Sequence, residues 1–445
     1  MATFAQTREL RGMRVPLPTA GPLGAAALAG LLAASALLAI AGAAERRIWY
    51  VPSSGRGGLP DWLAGPFHGV GLALQPATGA GLLVAMTACY LLALACARAG
   101  AMPARLAIAA VVALHVVFLL APPLFSSDVF GYVDYARLYV VHGLNPYVHG
   151  AADAIHDPVV PFIRWHDVPS PYGPLFGLLS SPLAWLSVPA ALWACKASAA
   201  LLSLACVALV WRIAQRRGVD PTRAILLVGL NPLLLAYAVG GAHNDFLLLA
   251  LLLGAVLLAL EERVAAAGAG AALAAGVKAS AGLVLPFMML APQDGRHRRR
   301  LLLGALAGGA ALGVLGAVAF GSDGLDFVGQ IRKQQRYVAA ESVPRKLAGL
   351  LGFDHLPEGL RLLFGIGFAV ALAWLLWATW RRRLDWLAAA GWATLALLVS
   401  TAWLVPWYVV WLLPLAAVGR DERLRRATLL FVLYLVWTRV WYLLS

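Results

Sequence analysis

Apolar runs about as long as a bilayer is thick recur along the whole chain, separated by short polar stretches rich in arginine. Helical spans are expected near 22–44, 79–97, 105–122, 189–211, 224–239, 245–260, 301–320, 361–380, 386–403 and 427–444. Each approaches the roughly 17–25 residues that cross about 30 Å of hydrocarbon. Hydrocarbon offers the backbone no partners, so such runs are read as helices. The first run exceeds a signal core of about 7–15 residues, so it is read as a retained helix with no cleavable signal peptide.

The arginines set the direction of these spans. They cluster as Arg8, Arg11 and Arg14; Arg98 and Arg105; Arg212, Arg216, Arg217 and Arg223; Arg296, Arg298, Arg299 and Arg300; Arg381, Arg382 and Arg383; and Arg420, Arg423, Arg425 and Arg426. Basic patches flanking apolar runs mark the cytoplasmic side. Starting inside, the third span delivers a long polar loop, 123–171, to the outside. Three apolar segments then break the count. Residues 172–187 are short, and a full crossing would place the patch from Arg212 to Arg223 outside, so a re-entrant or half-depth helix is expected between Pro171 and Pro189. Residues 264–290 join two cytoplasmic ends and must form a hairpin near Gly276-Val277-Lys278. Residues 403–418 must turn at Pro406-Trp407-Tyr408 and return to Arg420. Broken segments are tolerated at membrane depth where protein or a water-filled cavity surrounds them. All three turns are expected on the outer side. A second outer loop, 321–360, has the spacing of one or two amphipathic helices lying on the membrane face.

Composition agrees with this reading. Of 445 residues, 61% are hydrophobic and 13% charged, about half the charged fraction of a soluble domain. The net charge of +14 lies in the flanking patches, which read as topology determinants, with nucleic-acid binding the weaker alternative. Cys89, Cys96, Cys195 and Cys206 fall inside apolar runs without metal-ligand spacing and read as small buried side chains. There is no tandem repeat and no low-complexity tail. The expected architecture is all-α: a polytopic membrane protein with about 10–14 membrane segments, a single domain over 1–445 and no attached soluble domain.

Polar groups at the outer ends of the spans are the candidates for chemistry. Asp128 follows the third span and shares a short amphipathic helix with Phe130, Asp134 and Arg137. Ser127 or Asp128 is its expected N-cap. Asp128 is either that cap or a general base facing a cavity, since ionisable groups near membrane depth are costly to keep. Gly240-Gly241-Ala242-His243-Asn244-Asp245 is either a tight turn or part of a polar site. Lys278, within an apolar run, must snorkel, pair or meet an anion. Arg439 poses the same question. With Arg332, Arg336, Arg345 and Lys346 these are candidate phosphate ligands, because guanidinium groups suit phosphate oxygens. Tyr172, Trp403, Trp407, Tyr408 and Trp411 read as interfacial aromatics or as sugar-stacking and lipid-lining groups. No compact His/Asp pattern demands a metal.

Several segments carry a family resemblance. Leu124-Phe-Ser-Ser-Asp128-Val-Phe-Gly-Tyr132, His142-Gly-Leu-Asn-Pro-Tyr147, Asp157-Pro and Trp165-His-Asp-Val-Pro-Ser-Pro-Tyr-Gly-Pro-Leu-Phe176 lie in or beside the first outer loop. Gly241-Ala-His-Asn-Asp245, Ala275-Gly-Val-Lys278 and Val405-Pro-Trp-Tyr408 follow in order. Together they resemble the bacterial polyprenol-phosphate-mannose-dependent α-1,6-mannosyltransferases of the GT-C superfamily. The resemblance implies an outward-facing membrane transferase whose first-loop acid, at Asp128, is the general base. It further implies basic residues for the carrier phosphate, with Lys278, Arg332, Arg336, Arg345 and Arg439 as candidates. Asp134, Arg137, Tyr172, His243, Asn244, Asp245, Trp407 and Tyr408 are candidate substrate contacts.

The expected donor is a polyprenyl-phosphate-linked hexose, with mannose foremost, and the acceptor a glycan or a lipid-linked molecule. The expected location is the bacterial plasma membrane, with no nucleic-acid partner, no required cofactor and no metal. Direct displacement would invert the anomeric centre. Two extra spans before Asp128 depart from the simplest GT-C layout, and the chain is shorter than the mannosyltransferases it resembles. A lipid or sugar transporter is the alternative class, since broken helices and an intramembrane lysine suit one; such proteins often show repeated halves, which this sequence lacks.

Overall fold

A computed structural model describes residues 20–44, 60–70, 72, 74–292, 294–325, 327–334 and 336–444, with side chains undescribed at 20, 325, 327, 328, 331 and 332. The patch Arg8, Arg11 and Arg14 lies outside the described residues. Among the described residues every regular element is helical. The long loop 123–171 follows α1 (Ala20–Gly42), α2 (Asp61–Ala64), α3 (Pro76–Arg98) and α4 (Ala104–Leu120), and contains α5 (Asp128–Val140). Next come α6 (Pro174–Ser180), α7 (Val188–Arg217), α8 (Pro221–Gly229), α9 (Asp245–Leu260), α10 (Val264–Ala275) and α11 (Leu285–Leu290). The chain continues through α12 (Gly295–Phe320), α13 (Phe327–Gln334), α14 (Val343–Leu350), α15 (Glu358–Trp380), α16 (Trp386–Ser400), α17 (Leu413–Val418) and α18 (Glu422–Leu444). Among the described residues, six helices are long and apolar enough to cross a membrane: α1, α3, α7, α12, α15 and α18. Six shorter apolar segments accompany them. This is a polytopic, all-helical integral membrane protein.

The chain is interrupted at all three places where charge parity requires it. Residues 172–187 form only α6 and a 3-10 turn, Ser181–Trp185. Helix α10 stops at Ala275, Lys278 is extended, and a 3-10 turn leads into α11. Residues 403–418 form the 3-10 turn Pro406–Trp411 and then α17. The first two breaks satisfy each other. Gly173 N–H donates to Val277 O at 3.0 Å, and Leu175 N–H to Gly276 O at 3.2 Å. A Cβ at residue 173 would lie 2.2 Å from the Gly276 oxygen, so only glycine permits this approach.

One expected span is corrected. The run 224–239 is not a continuous helix, because α8 ends at Gly229 and a π-helix covers Leu234–Val239. Pro232 accounts for the break, since it lacks an N–H and disfavours helical geometry in the residue before it. The fully buried Asn231 repairs it, its Oδ1 accepting from the N–H groups of Leu233 and Leu234 at 3.0 and 3.1 Å. Hydropathy alone cannot see this break, because the flanking residues are all apolar.

In hydrocarbon, helices associate mainly through close packing of small residues. Helices α10 and α12 follow that rule. A Cβ at Gly268 would lie 2.0 Å from Leu301 O, and one at Gly304 would lie 1.9 Å from Ala265 O. The two backbones therefore touch directly. Elsewhere, α12 and α15 turn Val314, Val318, Leu362, Leu363 and Val370 outward as exposed apolar side chains.

The arginine patches meet at one end of the bundle. Arg216 reaches Glu261, Arg217 reaches Asp385, and Arg98 reaches Glu422. Arg223 donates to the carbonyls of Ala97 and Arg98, Arg382 to those of Ala291 and Pro292, and Arg420 to that of Arg217. Helix α7 rises about 45 Å from end to end. Its arginines sit at that basic end. Near its other end, the buried Lys196 donates to Phe118 O at 3.0 Å and Gly240 O at 3.2 Å.

Candidate functional site

At that other end, a cavity of about 600 Å³ opens among the loops 123–171 and 321–360 and all three interrupted segments. Its first wall is α5. Two prolines and Phe125, at φ 61°, precede that helix. Positive φ is strained for so bulky a residue, and stacking on Tyr237 at 4.2 Å holds it there. The expected N-cap holds in position, at Ser127, but not in bonding: Ser127 makes no side-chain cap bond, and Asp128 is the first helical residue. Asp128 N–H instead donates to Ser126 Oγ at 3.1 Å. The Asp128 carboxylate is thus spared from capping and lines the cavity, its side chain 28% exposed.

Behind Asp128 lies the Gly240–Asp245 turn, with Ala242 at φ 55°. His243 is buried, with Nδ1 3.7 Å from Asp128 Oδ2 and 3.4 Å from Tyr132 Oη. The Trp407 ring stacks on its imidazole at 3.9 Å and separates it from the cavity. Tyr132 Oη also donates to Asn244 Oδ1 at 3.4 Å. His243 and Asn244 therefore back the wall without lining it.

Lys278 and Asp245 form the second polar centre. Lys278 Nζ lies 3.0 Å from Asp245 Oδ1, which also accepts from Trp411 Nε1 at 2.7 Å. Asp245 is buried, whereas Lys278 lines the cavity between Tyr408 at 4.8 Å, Trp411 at 5.2 Å and Tyr172 at 5.8 Å. The lysine that sequence alone left free to snorkel, pair or bind an anion is paired from below and ringed by aromatic faces.

The other candidates divide. Tyr172, Trp407, Tyr408, Asp134 and Arg439 all line the cavity. Arg439 pairs with Glu341, another lining residue. Arg137 is committed elsewhere: with His142 it holds the buried Asp157 at 2.8 and 2.7 Å. Burial pushes the Asp157 carboxyl up, but these hydrogen bonds outweigh it and hold it below the ordinary carboxylate range. Asp134 has no such partner, and burial beside Asp157 raises it to about 7. Arg345 spends its guanidinium on the carbonyls of Phe353 and Asp354. Arg336 is exposed, and neither it nor Arg345 lines the cavity. Lys346 lies over Trp437, and the Arg332 side chain lies outside the described residues.

Known proteins bear directly on this geometry. The family model described as "Alpha-(1->6)-mannopyranosyltransferase, N-terminal domain" matches residues 27–294. The chain belongs to this family. The alpha-(1->6)-mannopyranosyltransferase A of Mycobacterium tuberculosis is 30% identical over 340 residues, covering 69% of this chain and 64% of the relative. A probable alpha-(1->6)-mannopyranosyltransferase of Mycolicibacterium smegmatis is 28% identical over 368 residues, covering 71% and 65%. Alpha-(1->6)-mannopyranosyltransferase B of Corynebacterium glutamicum is 26% identical over 342 residues, covering 67% and 56%. The chain spans just under two thirds of the length of the first two of these curated relatives. No solved structure matches it.

The mannopyranosyltransferase match covers Asp128, the Gly240–Asp245 turn and Lys278. The opposite wall, from Glu341 through Trp411 to Arg439, lies beyond it. Sequence reasoning missed Arg164, Trp165, Asp167 and Tyr337 as lining residues, and did not single out Lys333 or Glu341. Trp165 and Asp167 stood inside a recognised loop motif, so position in that motif was an available signal. Tyr337 had none, because it reaches the site only by packing near Trp165 at 6.0 Å and Trp403 at 5.6 Å. Among the described residues no three His, Cys, Asp or Glu side chains cluster as metal ligands.

Proposed function

We propose that this chain is an inverting mannosyltransferase. It moves mannose from a polyprenyl-phosphate carrier to a glycan or lipid-linked acceptor on the outer face of the bacterial plasma membrane. The relatives' names support mannosyl transfer; the polyprenyl-phosphate donor is what the family resemblance implies, and inversion is the outcome of a direct displacement. The observation that carries the reading is one cavity lined by Asp128, Lys278 and Arg439 together with several aromatic side chains.

The acceptor hydroxyl oxygen attacks the anomeric carbon as the bond from that carbon to the phosphate oxygen breaks. Asp128 takes the hydroxyl proton, and the bonding pair leaves on polyprenyl phosphate. A base in this position contributes about 10²–10⁴-fold. In this scheme Lys278, Arg439 and the exposed Lys333 are the cavity cations that meet the charge developing on the phosphate; fixed cations lower a barrier most when placed beforehand. Each inner cation is already paired with an acid, so it stays in place before the donor arrives. Phosphate leaves readily, so the scheme calls on no cofactor. Tyr172, Trp407 and Tyr408 offer ring faces to the sugar.

Purified protein incubated with radiolabelled polyprenyl-phospho-mannose and lipid-linked glycan acceptors should yield labelled product with inverted anomeric configuration. Asp128→Asn should abolish it while remaining folded. Wild-type turnover in that variant would remove Asp128 as the base. Retention of configuration would remove direct displacement.

A further inference from the structure

Helix α5 presents more than its first acid to the cavity. Asp128, Gly131 and Asp134 all line it, at steps of three residues. Each such step turns the position by about 60° around the helix while climbing it, so the three line a spiralling strip of the cavity wall. Asp128 and Asp134 stand about 9 Å apart along the axis, room for one pyranose ring with a hydrogen bond at each end. Gly131, midway, leaves that room open: a Cβ there would meet nothing closer than Tyr135 Cε2 at 3.9 Å.

Asp134 is only 2% exposed, yet among the described residues its carboxyl has no hydrogen bond and no ion pair. The nearby Arg137 and His142 are both taken by Asp157. A carboxyl buried this deeply without a partner is costly unless something else satisfies it. The space it borders is the reaction cavity.

We infer that Asp134 is an acceptor-binding residue: its carboxyl holds a hydroxyl of the hexose that lies over Gly131 and offers its reacting hydroxyl to Asp128. This rests on the reading of Asp128 as base, because that reading places the acceptor ring, not the donor ring, against α5. Burial raises the Asp134 carboxyl to about 7. Near neutrality it therefore keeps much of its proton, and can donate one hydrogen bond and accept another. A second full negative charge beside Asp128 would instead repel the phosphate donor. The charged groups around Asp134 are Asp157, Arg137 and His142 at its back and Asp128 on its own helix. Arg164, Asp167 and Lys333 lie on the cavity lining.

The test uses the full chain in detergent, a soluble synthetic dimannoside as acceptor and radiolabelled polyprenyl-phospho-mannose as donor. Acceptor binding is followed separately through tryptophan fluorescence, since Trp165, Trp403, Trp407 and Trp411 line the cavity. Gly131→Ala puts a methyl group where the ring would lie without disturbing the protein. It should weaken dimannoside binding and raise the acceptor KM about tenfold, with the donor KM held within twofold. Asp134→Ala should do the same, and Asp134→Asn should recover part of the loss. Wild-type turnover should fall as the pH rises through about 7, and Asp134→Asn should lose that limb, whereas a limb that arises from any other group would stay in place. If Asp134→Ala does not fold, Gly131→Ala and Asp134→Asn carry the test. Unaltered acceptor binding in Gly131→Ala, a shift in donor KM instead, or a persistent alkaline limb in Asp134→Asn would overturn the assignment. Failure of the base reading shows elsewhere, as wild-type turnover in Asp128→Asn, and leaves the fluorescence titration to decide on Asp134 alone.

Discussion

Arg217 meets Asp385 at 2.7 Å at the basic end of the bundle, and Lys278 meets Asp245 at 3.0 Å at the cavity end. The two pairs are alike in length, although Arg217 and Asp385 are 168 residues apart in sequence and Lys278 and Asp245 only 33. Their surroundings differ. Arg217 also lends its carbonyl to Arg420, and Asp385 caps α16 through Ala388 N–H. The Asp385 carboxylate and the Arg217 carbonyl are both spent on holding helix ends together. Lys278 leans on Asp245 from one side and faces open volume on the other. An ion pair at a helix end is a fastening. The same pair beside a cavity is a fixed charge with something left to bind.

The widest split between the two ends should come from Asp128. Asp128→Asn is isosteric and leaves the Ser126 hydroxyl bond to the residue's N–H intact. Transfer should fall about 10²–10⁴-fold, with melting temperature little altered. No substitution at the basic end should separate activity from stability so sharply. A loss of transfer that tracks unfolding would merge the two ends into one class.

Lys278 comes next. Lys278→Met leaves Asp245 buried without its cation, a loss of about 3–5 kcal/mol for broken buried pairs. Adding Asp245→Asn should restore much of the thermal stability but none of the transfer. Arg217→Met should lower stability and leave turnover per folded molecule as it was. If the double variant at the cavity regains transfer, Lys278 is only another fastening.

Arg137 and Asp157 lie in the same loop as the cavity acid but behave like the basic end. Their side chains are 14% and 2% exposed, and neither lines the cavity. The Asp157 carboxyl is held below the ordinary range, so its stabilising effect is present above about pH 3.9. It is lost as the pH falls through the lowered value. Thermal melts from pH 7 to pH 3 should show that acid limb in wild type. Asp157→Asn should be less stable at pH 7, and should lack the limb. Asp134, only a few residues from Arg137, has the opposite sign, since a raised carboxyl favours folding at low pH and loses that as the pH rises through about 7.

The fold was legible because its signals are one-dimensional. Span length and arginine placement alone required breaks at 172–187, 264–290 and 403–418, and the chain breaks there. The interruption at Asn231-Pro232 escaped because a single proline carries little weight in a hydropathy window. The site was legible mainly where its residues stand in recognisable motifs, with Arg439 an exception read from its place in an apolar run. Asp128, Tyr172 and Lys278 could be named, but their distances to His243, Trp407 and Asp245 depend on how distant helices pack. The outer arginines show the limit most plainly. In sequence Arg345 and Lys333 look equally suited to a phosphate, and only the fold shows that one faces carbonyls and the other the cavity.

That distinction gives the smallest expected effect. Arg345 is exposed at its hydrogen bonds to Phe353 and Asp354, where a lost surface contact changes stability little. Arg345→Gln should therefore leave donor KM within twofold of wild type. Lys333→Gln removes a cation from the cavity lining and should raise donor KM a few-fold, more at low ionic strength than at high, because salt already screens an exposed charge. Measuring both variants at two salt concentrations separates a phosphate contact from general surface charge. Equal shifts would mean that the second outer loop attracts the donor through its overall charge. A shift confined to Lys333→Gln would extend the division between fastening and binding cations from the bundle interior out to the mouth of the cavity.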